Sequence, residues 1–123
     1  MLNFAPRVRM FLAREPCDMR KSLRGLSGLV RGKLREDPLS GNVFCFVNRR
    51  RTMLKLLVHV RTGFGIYYLR LSRGTFQLPP MAEGQSRVEL DAATLTLILE
   101  GIDLRSVTRR LRYRQPSTGM TQN

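Results

Sequence analysis

Seven basic side chains stand in a stretch of the sequence that holds no acidic residue. Between Pro38 and Ala82 there is no Asp or Glu. The cations of this stretch are Arg49, Arg50, Arg51, Lys55, Arg61, Arg70 and Arg73. The planar guanidinium fork of arginine matches the oxygens of a phosphate group in a bidentate manner. The stretch therefore predicts a site for an anion, and phosphate is the chemistry that fits it best.

The whole chain carries the same excess of positive charge. Its 123 residues include 22 Lys and Arg against nine Asp and Glu, which gives a formal net charge of +13 at neutral pH. Only three of these cations are lysines. The preponderance of arginine makes nucleic acid the first hypothesis for a partner. The alternative is a protein from an arginine-rich proteome whose charge serves no anionic partner.

The histidine, cysteine and acidic residues of the sequence do not form a recognisable catalytic or metal-binding motif. The lone histidine, His59, falls in an apolar run, and the two cysteines, Cys17 and Cys45, lack the spacing of metal ligands. The nine acids are divided between the region of the first helix and the C-terminal third, and no glycine-rich phosphate loop occurs. We therefore expect a protein that is not an enzyme and that uses no catalytic residue, metal or cofactor.

Short strands joined by hairpin turns must position the arginines. Apolar and alternating runs predict strands over residues 43–47, 53–60, 64–71 and 75–78, separated by polar or glycine-containing breaks. Alternate connections of an antiparallel meander lie at the same end of the sheet. The connections 48–52 and 72–74 are therefore expected to be neighbours. This arrangement would gather Arg49, Arg50, Arg51 and Arg73, with Arg70 close by.

The two faces of the predicted sheet differ in chemistry, because successive side chains of a strand point to opposite faces. One face, which includes Val43 and Cys45, is apolar and is expected to form the core against the first helix. The other face mixes aromatic with basic residues, among them Phe44, Phe46, Tyr68 and Lys55. This mixture suits the stacking of bases, or contact with a partner, beside neutralised phosphates. It is also the pattern of a second buried face, and both interpretations stay open.

The segment before the sheet predicts one strand and one helix. Residues 8–14 alternate as a strand does, and Asp18 is placed to cap a helix over residues 19–35. At about 100° per residue, four arginines fall in one sector of this helix: Arg20, Arg24, Arg31 and Arg35. This basic ridge would contact phosphates or form a solvated face. Glycines on another sector would admit a second backbone or mark a bent or shorter helix: Gly25, Gly28 and Gly32.

The C-terminal third predicts a linker followed by two short helices. Residues 81–87 lack periodicity and are expected to be the linker. Asp91 is placed to cap a helix over residues 92–100, and Asp103 to cap a second one. The basic side of that second helix holds Arg105, Arg109 and Arg112. Residues 115–123 are polar and are expected to be disordered.

Together these elements predict one α+β domain over residues 1–114. Its core lies in residues 8–79, and residues 91–114 form a C-terminal helical segment. The sheet is mainly antiparallel, with four to five strands and a helix packed on one face.

No feature of the sequence points to export or to a membrane. No apolar run approaches the roughly 18–20 residues needed to span a bilayer, and no export signal is visible. We therefore expect a cytoplasmic protein without a membrane partner. In that compartment a disulfide between Cys17 and Cys45 is not expected.

Several separate motifs, in their order and spacing, resemble one protein family. They are Asp18-Met19-Arg20-Lys21-Ser22-Leu23, Asp37-Pro38-Leu39-Ser40-Gly41, Phe44-Cys45-Phe46-Val47-Asn48-Arg49-Arg50, Lys55-Leu56-Leu57 and Tyr67-Tyr68-Leu69-Arg70-Leu71. Over residues 8–79 the chain resembles the accessory protein of insertion sequence 66 elements, often labelled TnpB. The resemblance implies a bacterial mobile element in which this small protein assists a separate, larger transposase. The family commonly places a Trp near His59 and another near Leu78, whereas this chain has none.

Two functions fit this setting. The first is an accessory protein of transposition that binds DNA without catalysis through its arginine clusters, at the ends of the element and with a non-specific component. The second is an adapter that binds the transposase of the same element by protein contacts, without recognising DNA directly. The sequence leaves both functions and the oligomeric state open.

Overall fold

Five strands and two helices make up the part of the chain that the structure describes. The computed structural model describes residues 7–101. In chain order the elements are β1 Met10–Ala13, α1 Leu23–Leu29, a π-helical turn Val30–Leu34, β2 Val43–Val47, β3 Met53–Val60, β4 Gly63–Arg70, β5 Arg87–Leu90 and α2 Ala92–Leu99. The predicted α+β class with a mainly antiparallel sheet is confirmed.

The strands form one mixed sheet in the order β4-β3-β2-β1-β5. β1 and β2 run parallel, with Met10 opposite Val43, and the other neighbouring pairs are antiparallel. A parallel pair needs a crossover connection, and α1 supplies it. The predicted meander is confirmed for β2, β3 and β4, and the first strand joins it as a parallel neighbour of β2.

The sheet is covered on both faces, and the predicted position of the first helix is wrong. The face expected to pack against that helix is buried instead by α2 and by the segment that holds Phe76. α1 and the π-helical turn lie on the opposite face, where Leu26 and Val30 pack with Phe44 and Phe46. All five residues of β2 are buried, so alternation along this strand could not show which helix covers which face.

The first helix is shorter than predicted. It begins at Leu23, with Ser22 as its N-cap residue. Asp18 is not the cap, because its Oδ1 accepts a hydrogen bond from the backbone N of Arg20 at 2.9 Å and closes a local turn. The π-helical turn ends at Leu34, and its C-cap residue Arg35 is in the left-handed conformation. The predicted glycine strip faces open space at its second and third positions, so no backbone among residues 7–101 packs there.

The fifth strand lies at the end of the predicted linker. Residues 75–78 do not form a strand, because Phe76 enters the core and is fully buried. Its backbone N donates to the carbonyl O of Arg51 at 2.7 Å, a contact outside the sheet ladder. β5 instead pairs antiparallel with β1 at the far edge of the sheet. Its four residues are too few for the alternation of a β-strand to be recognised from the sequence alone.

Asp91 caps α2 as predicted. Its Oδ1 accepts a hydrogen bond from the backbone N of Thr94 at 2.7 Å, and this bond lowers the pKa of the Asp91 carboxyl. α2 buries Leu95 and Ile98 against the sheet. The predicted helix after Asp103 and the predicted tail over residues 115–123 lie outside the described residues.

Candidate nucleic-acid interface

The turn between β2 and β3 is held by the side chain of Asn48. Its Oδ1 accepts hydrogen bonds from the backbone N of Thr52 at 2.8 Å and of Met53 at 2.9 Å. Its Nδ2 donates to Oγ1 of Thr52 at 3.1 Å. The backbone N of Arg51 donates to the carbonyl O of Asn48 at 3.0 Å, and Arg51 adopts a left-handed conformation with φ of 61°. These contacts fix the backbone from which the three arginines of the turn project.

The segment after β4 docks beside this turn. The backbone N of Leu71 donates to the carbonyl O of Thr52 at 2.9 Å, and that of Phe76 donates to Arg51. The connections 48–52 and 72–74 are therefore neighbours, as predicted. β4 ends at Arg70, which lies opposite Met53. Five exposed arginines thus share one end of the sheet, which we name the arginine end: Arg49, Arg50, Arg51, Arg70 and Arg73.

No carboxylate among residues 7–101 forms an ion pair with the arginine end. The ion pairs in that part of the chain are Arg9 with Glu89, Arg20 with Asp18, and Arg87 with Glu36. Like charges gathered at one place raise the local potential, and a multivalent anion relieves their repulsion. The arginine end therefore has the electrostatics of an anion-binding surface.

A surface groove adjoins the arginine end. It has a volume of about 560 Å³ and opens between the segment that precedes α1 and the ends of β2, β3 and β4. Its lining includes Asp18, Met19, Arg20, Asn48, Arg49, Arg50, Met53 and Tyr68. We name it the Tyr68 groove. Arg20 therefore lies at the same groove as Arg49 and Arg50, a neighbourhood that the sequence did not indicate.

Tyr68 is fixed at the wall of this groove and stays half exposed. Its side-chain OH donates to Sδ of Met53 at 2.9 Å, and the residue is 50% exposed. Nζ of Lys55 lies 5.2 Å from the centroid of the Tyr68 ring, a cation–π contact. The same Nζ donates to the carbonyl O of Lys21 at 2.7 Å. Lys55 thus ties β3 to the segment before α1 and keeps its charge beside the ring.

The pair of Asp18 and Arg20 sets the charge of the opposite wall. Nη2 of Arg20 lies 2.7 Å from Oδ2 of Asp18. The hydrogen bonds from the side chain and then the backbone of Arg20 lower the pKa of the Asp18 carboxyl to about 2. The carboxylate is therefore ionised at neutral pH. It offsets the charge of Arg20 and leaves those of Arg49 and Arg50 uncompensated.

The predicted basic ridge of the first helix is not one continuous surface. Arg20 precedes α1 and Arg35 follows the π-helical turn, so both lie outside the regular helix. The i→i+5 hydrogen bonding of that turn also changes the angle between successive side chains, so the predicted sector does not hold beyond Leu29. Arg24 and Arg31 remain exposed on the helix. The predicted C-terminal cluster lies outside the described residues: Arg105, Arg109 and Arg112.

Phe44 and Phe46 are not exposed for the stacking or partner contact that was expected of them. They are 0% and 1% exposed beneath α1, and the Phe44 ring centroid lies 5.8 Å from that of Phe11. The alternative interpretation, a second buried face, is therefore the correct one for these two residues. Tyr68 differs because it lies on the edge strand β4 and remains half exposed.

Two arginines outside the predicted clusters make contacts between distant parts of the described chain. Arg87 on β5 donates from Nη1 to the carbonyl O of Leu34 at 3.1 Å, and its Nη2 lies 2.7 Å from Oε2 of Glu36. It thereby joins β5 to the C-terminal end of the first helix. Arg9, which precedes β1, pairs with Glu89 on β5 at 2.8 Å. The partners are distant in sequence, so no local signal distinguishes these arginines from the exposed ones.

Titratable clusters do not mark a second site in the described part of the chain. Between residues 7 and 101, no group of three His, Cys, Asp or Glu side chains is placed to hold a metal ion. Over the same residues, no helix has the length and apolar character that crossing a membrane requires. Cys17 and Cys45 are free and buried, and burial raises the pKa of both thiols. Both cysteines are therefore packing residues in this fold.

Comparison with known proteins shows the family of the chain. The model of the IS66 Orf2-like proteins matches residues 8–109. This chain belongs to the IS66 Orf2-like family. The uncharacterized protein y4hO of Sinorhizobium fredii is 35% identical over 105 residues, which cover 85% of this chain and 90% of that relative. Protein y4jC of the same organism is 28% identical over 103 residues, which cover 84% of this chain and 86% of that relative.

The IS66 Orf2-like proteins are accessory proteins of insertion sequences and are not known as enzymes. The resemblance found in the sequence motifs is thereby confirmed. No solved structure matches the chain. The arginine end and the Tyr68 groove both lie within the residues that the IS66 Orf2-like model covers.

Proposed function

We propose that this accessory protein acts in transposition by binding DNA without catalysis, through phosphate contacts at the arginine end. The observation that supports the proposal is the gathering of five exposed guanidinium groups, none of them paired with a carboxylate within residues 7–101. Phosphate accepts the fork of donors that arginine presents. The ends of the element are the proposed target, and phosphate contacts add a non-specific component to the affinity.

Phosphate contacts make the affinity depend on salt by a calculable amount. Each contact with duplex DNA lowers the logarithm of the binding constant by about 0.9 for a tenfold rise in salt. Five contacts therefore predict a slope of about −4.5, which is a roughly 500-fold loss of affinity between about 50 and 200 mM salt. Binding through neutral contacts alone would change little over this range.

Fluorescence anisotropy of labelled duplex DNA across this salt range tests the proposal. The wild type is compared with Arg49→Gln/Arg50→Gln and with the control Arg7→Gln/Arg61→Gln, which removes the same charge from exposed positions. Arg61 follows β3, at the opposite end of that strand from the β2–β3 turn. We expect the first variant to reduce the slope by about 1.8 and the control to change it much less. Equal effects of the two variants, or an affinity independent of salt, would overturn the proposal.

Two duplexes of different sequence distinguish phosphate contacts from sequence-specific recognition. A duplex with the sequence of the element's end and a scrambled duplex are titrated in parallel. Phosphate contacts alone give equal affinities for the two, whereas contacts to base edges or to DNA shape give a preference for the end sequence.

A second candidate function is an adapter that binds the element's transposase through protein contacts. The edge strand β4 favours it, because this strand of eight residues has a neighbour on one side only among the described residues. The apolar side chain of Ile66 on this strand is also exposed, as is that of Val60 at the end of β3. An exposed edge strand of this length is a template for a partner strand. Co-purification of the transposase that survives nuclease treatment would support the adapter, and loss of the association would favour a bridge of DNA.

A further inference from the structure

The Tyr68 groove combines an exposed aromatic ring with basic side chains. The ring comes from β4, Arg49 and Arg50 come from the β2–β3 turn, and Arg20 comes from the segment before α1. Each of the three segments is held by its own hydrogen bonds. The volume of about 560 Å³ lies within the range of pockets that hold small ligands. The groove therefore presents an aromatic surface beside positive charge.

The ring of Tyr68 is held so that it offers a flat surface to another group. The hydrogen bond to Sδ of Met53 at 2.9 Å and the ammonium of Lys55 at 5.2 Å restrict its rotation. Half of the residue remains exposed. A ring that is already fixed provides stacking area with little further loss of side-chain entropy.

The bases of an intact duplex are paired and stacked on each other, so they do not reach such a ring. An unpaired base presents a π-face, and its stacking on an aromatic side chain tolerates any sequence. The carboxylate that lines the groove, Asp18, is already held by Arg20 at 2.7 Å. Arg49 and Arg50 thus keep their donors for the phosphates on either side of a stacked base.

We infer that the Tyr68 groove binds single-stranded DNA, with an unpaired base on the ring of Tyr68 and the flanking phosphates on Arg49 and Arg50. The inference rests on the proposed function, because it takes DNA to be the anion that the arginine end binds. It adds a preference for opened strands over the intact duplex. The preference directs the protein to DNA whose strands are separated.

Anisotropy titrations with a single-stranded oligothymidylate and a duplex of the same length, at one salt concentration, test this preference. Tyr68→Leu removes the ring and keeps an apolar side chain, and Tyr68→Phe keeps the ring and removes the OH. Stacking of one base on an aromatic ring raises affinity by roughly 5- to 150-fold. We expect Tyr68→Leu to lose that factor with oligothymidylate and to keep its affinity for the duplex. Tyr68→Phe keeps the ring but removes the hydrogen bond to Sδ of Met53 that restricts it, so it is expected to lose less affinity for oligothymidylate than Tyr68→Leu does.

Tyr68→Trp gives a readout that does not depend on how well the Leu variant folds. The chain has no Trp, so the introduced indole is the sole source of Trp fluorescence. A base stacked on the indole quenches its emission. We expect quenching that saturates with oligothymidylate and is absent with the duplex. Unquenched emission at a saturating concentration of oligothymidylate would overturn the inference.

The outcomes distinguish this inference from the proposed function. If the wild type binds neither probe, DNA binding itself fails and the groove has no DNA ligand. A second outcome has three parts. The wild type binds both probes with equal affinity, Arg49→Gln/Arg50→Gln lowers both affinities, and the Tyr68 variants change neither affinity. In that case DNA binding stands and single-strand binding in the groove is refuted.

Discussion

Replacement of Asn48 by Ala is expected to lower the free energy of unfolding by about 1.5–3 kcal/mol. The substitution removes the two hydrogen bonds that Oδ1 accepts from Thr52 and Met53 and the one that Nδ2 donates to Thr52. At a net contribution of about 0.5–1.5 kcal/mol each, the three bonds give at most about 4.5 kcal/mol. The expected value is lower because Thr52 and Met53 are only partly buried, so water replaces part of what is lost.

Urea unfolding followed by circular dichroism measures this change, with the slope against denaturant expected to stay constant. Asn42→Ala is the matched control, because Oδ1 of Asn42 accepts one hydrogen bond, from the backbone N of Arg9 at 3.1 Å. We expect the control to lose no more than about 1 kcal/mol. If Asn48→Ala loses no more than Asn42→Ala, the Asn48 side chain does not hold the turn, and the account of how the arginine end is supported is refuted.

Asn48→Asp separates the stability of the turn from its charge. Aspartate keeps acceptor oxygens for the N–H groups of Thr52 and Met53 and loses only the donor Nδ2. Its stability is expected to stay within about 1 kcal/mol of the wild type. The added negative charge beside Arg49 and Arg50 is expected to weaken duplex binding and to reduce the salt slope by about 0.9. A stable variant with unchanged binding would count against phosphate contacts at the arginine end.

Three further substitutions test an ion pair, a buried aromatic residue and the hydrogen bonds at Asp18. Arg87→Met removes the ion pair with the largely buried Glu36 and is expected to lower the free energy of unfolding by about 2 kcal/mol in urea titrations. Phe46→Ala empties a buried position beneath α1 and is expected to cost about 3–5 kcal/mol, whereas a cost near zero would place Phe46 at the surface. Hydrogen bonds from Arg20 lower the pKa of Asp18 from 3.8 to about 2, so its ionised form stabilises the fold above pH 3.8 and this contribution is lost as pH falls toward 2. Carboxyl NMR titration is expected to show the low midpoint for Asp18, and Arg20→Gln is expected to raise it.

Local sequence was sufficient where turn residues mark both ends of a strand. β2 and β3 begin and end at the predicted residues, because Asn48 and the arginines after it interrupt two apolar runs. Hairpin geometry then placed the connections 48–52 and 72–74 together without knowledge of the remaining fold. The arginine end was therefore predictable from the residues alone.

The remaining features depend on contacts between distant parts of the chain. Phe44 and Tyr68 look alike in the alternating pattern. Phe44 is buried because α1 covers the central strand β2, whereas Tyr68 lies on the edge strand β4 and stays half exposed. β5 exists as a strand because β1 lies beside it, and its own four residues carry no such signal. Arg20 does not lie on the predicted helical ridge, because its backbone N donates a hydrogen bond to Oδ1 of Asp18. This local hydrogen bond competes with helix formation.

The pairing of β1 with β5 has a consequence for how the protein is made. Met10 lies opposite Leu90. During synthesis, β1 therefore cannot pair with β5 until the residues up to Leu90 have been made. Such non-local pairing slows folding, and during that interval β1 presents an open edge to other chains. The arginine end, in contrast, is assembled from residues 48–76 by neighbouring hairpins. The arginine end is therefore expected to form on the nascent chain before the sheet that supports it is closed.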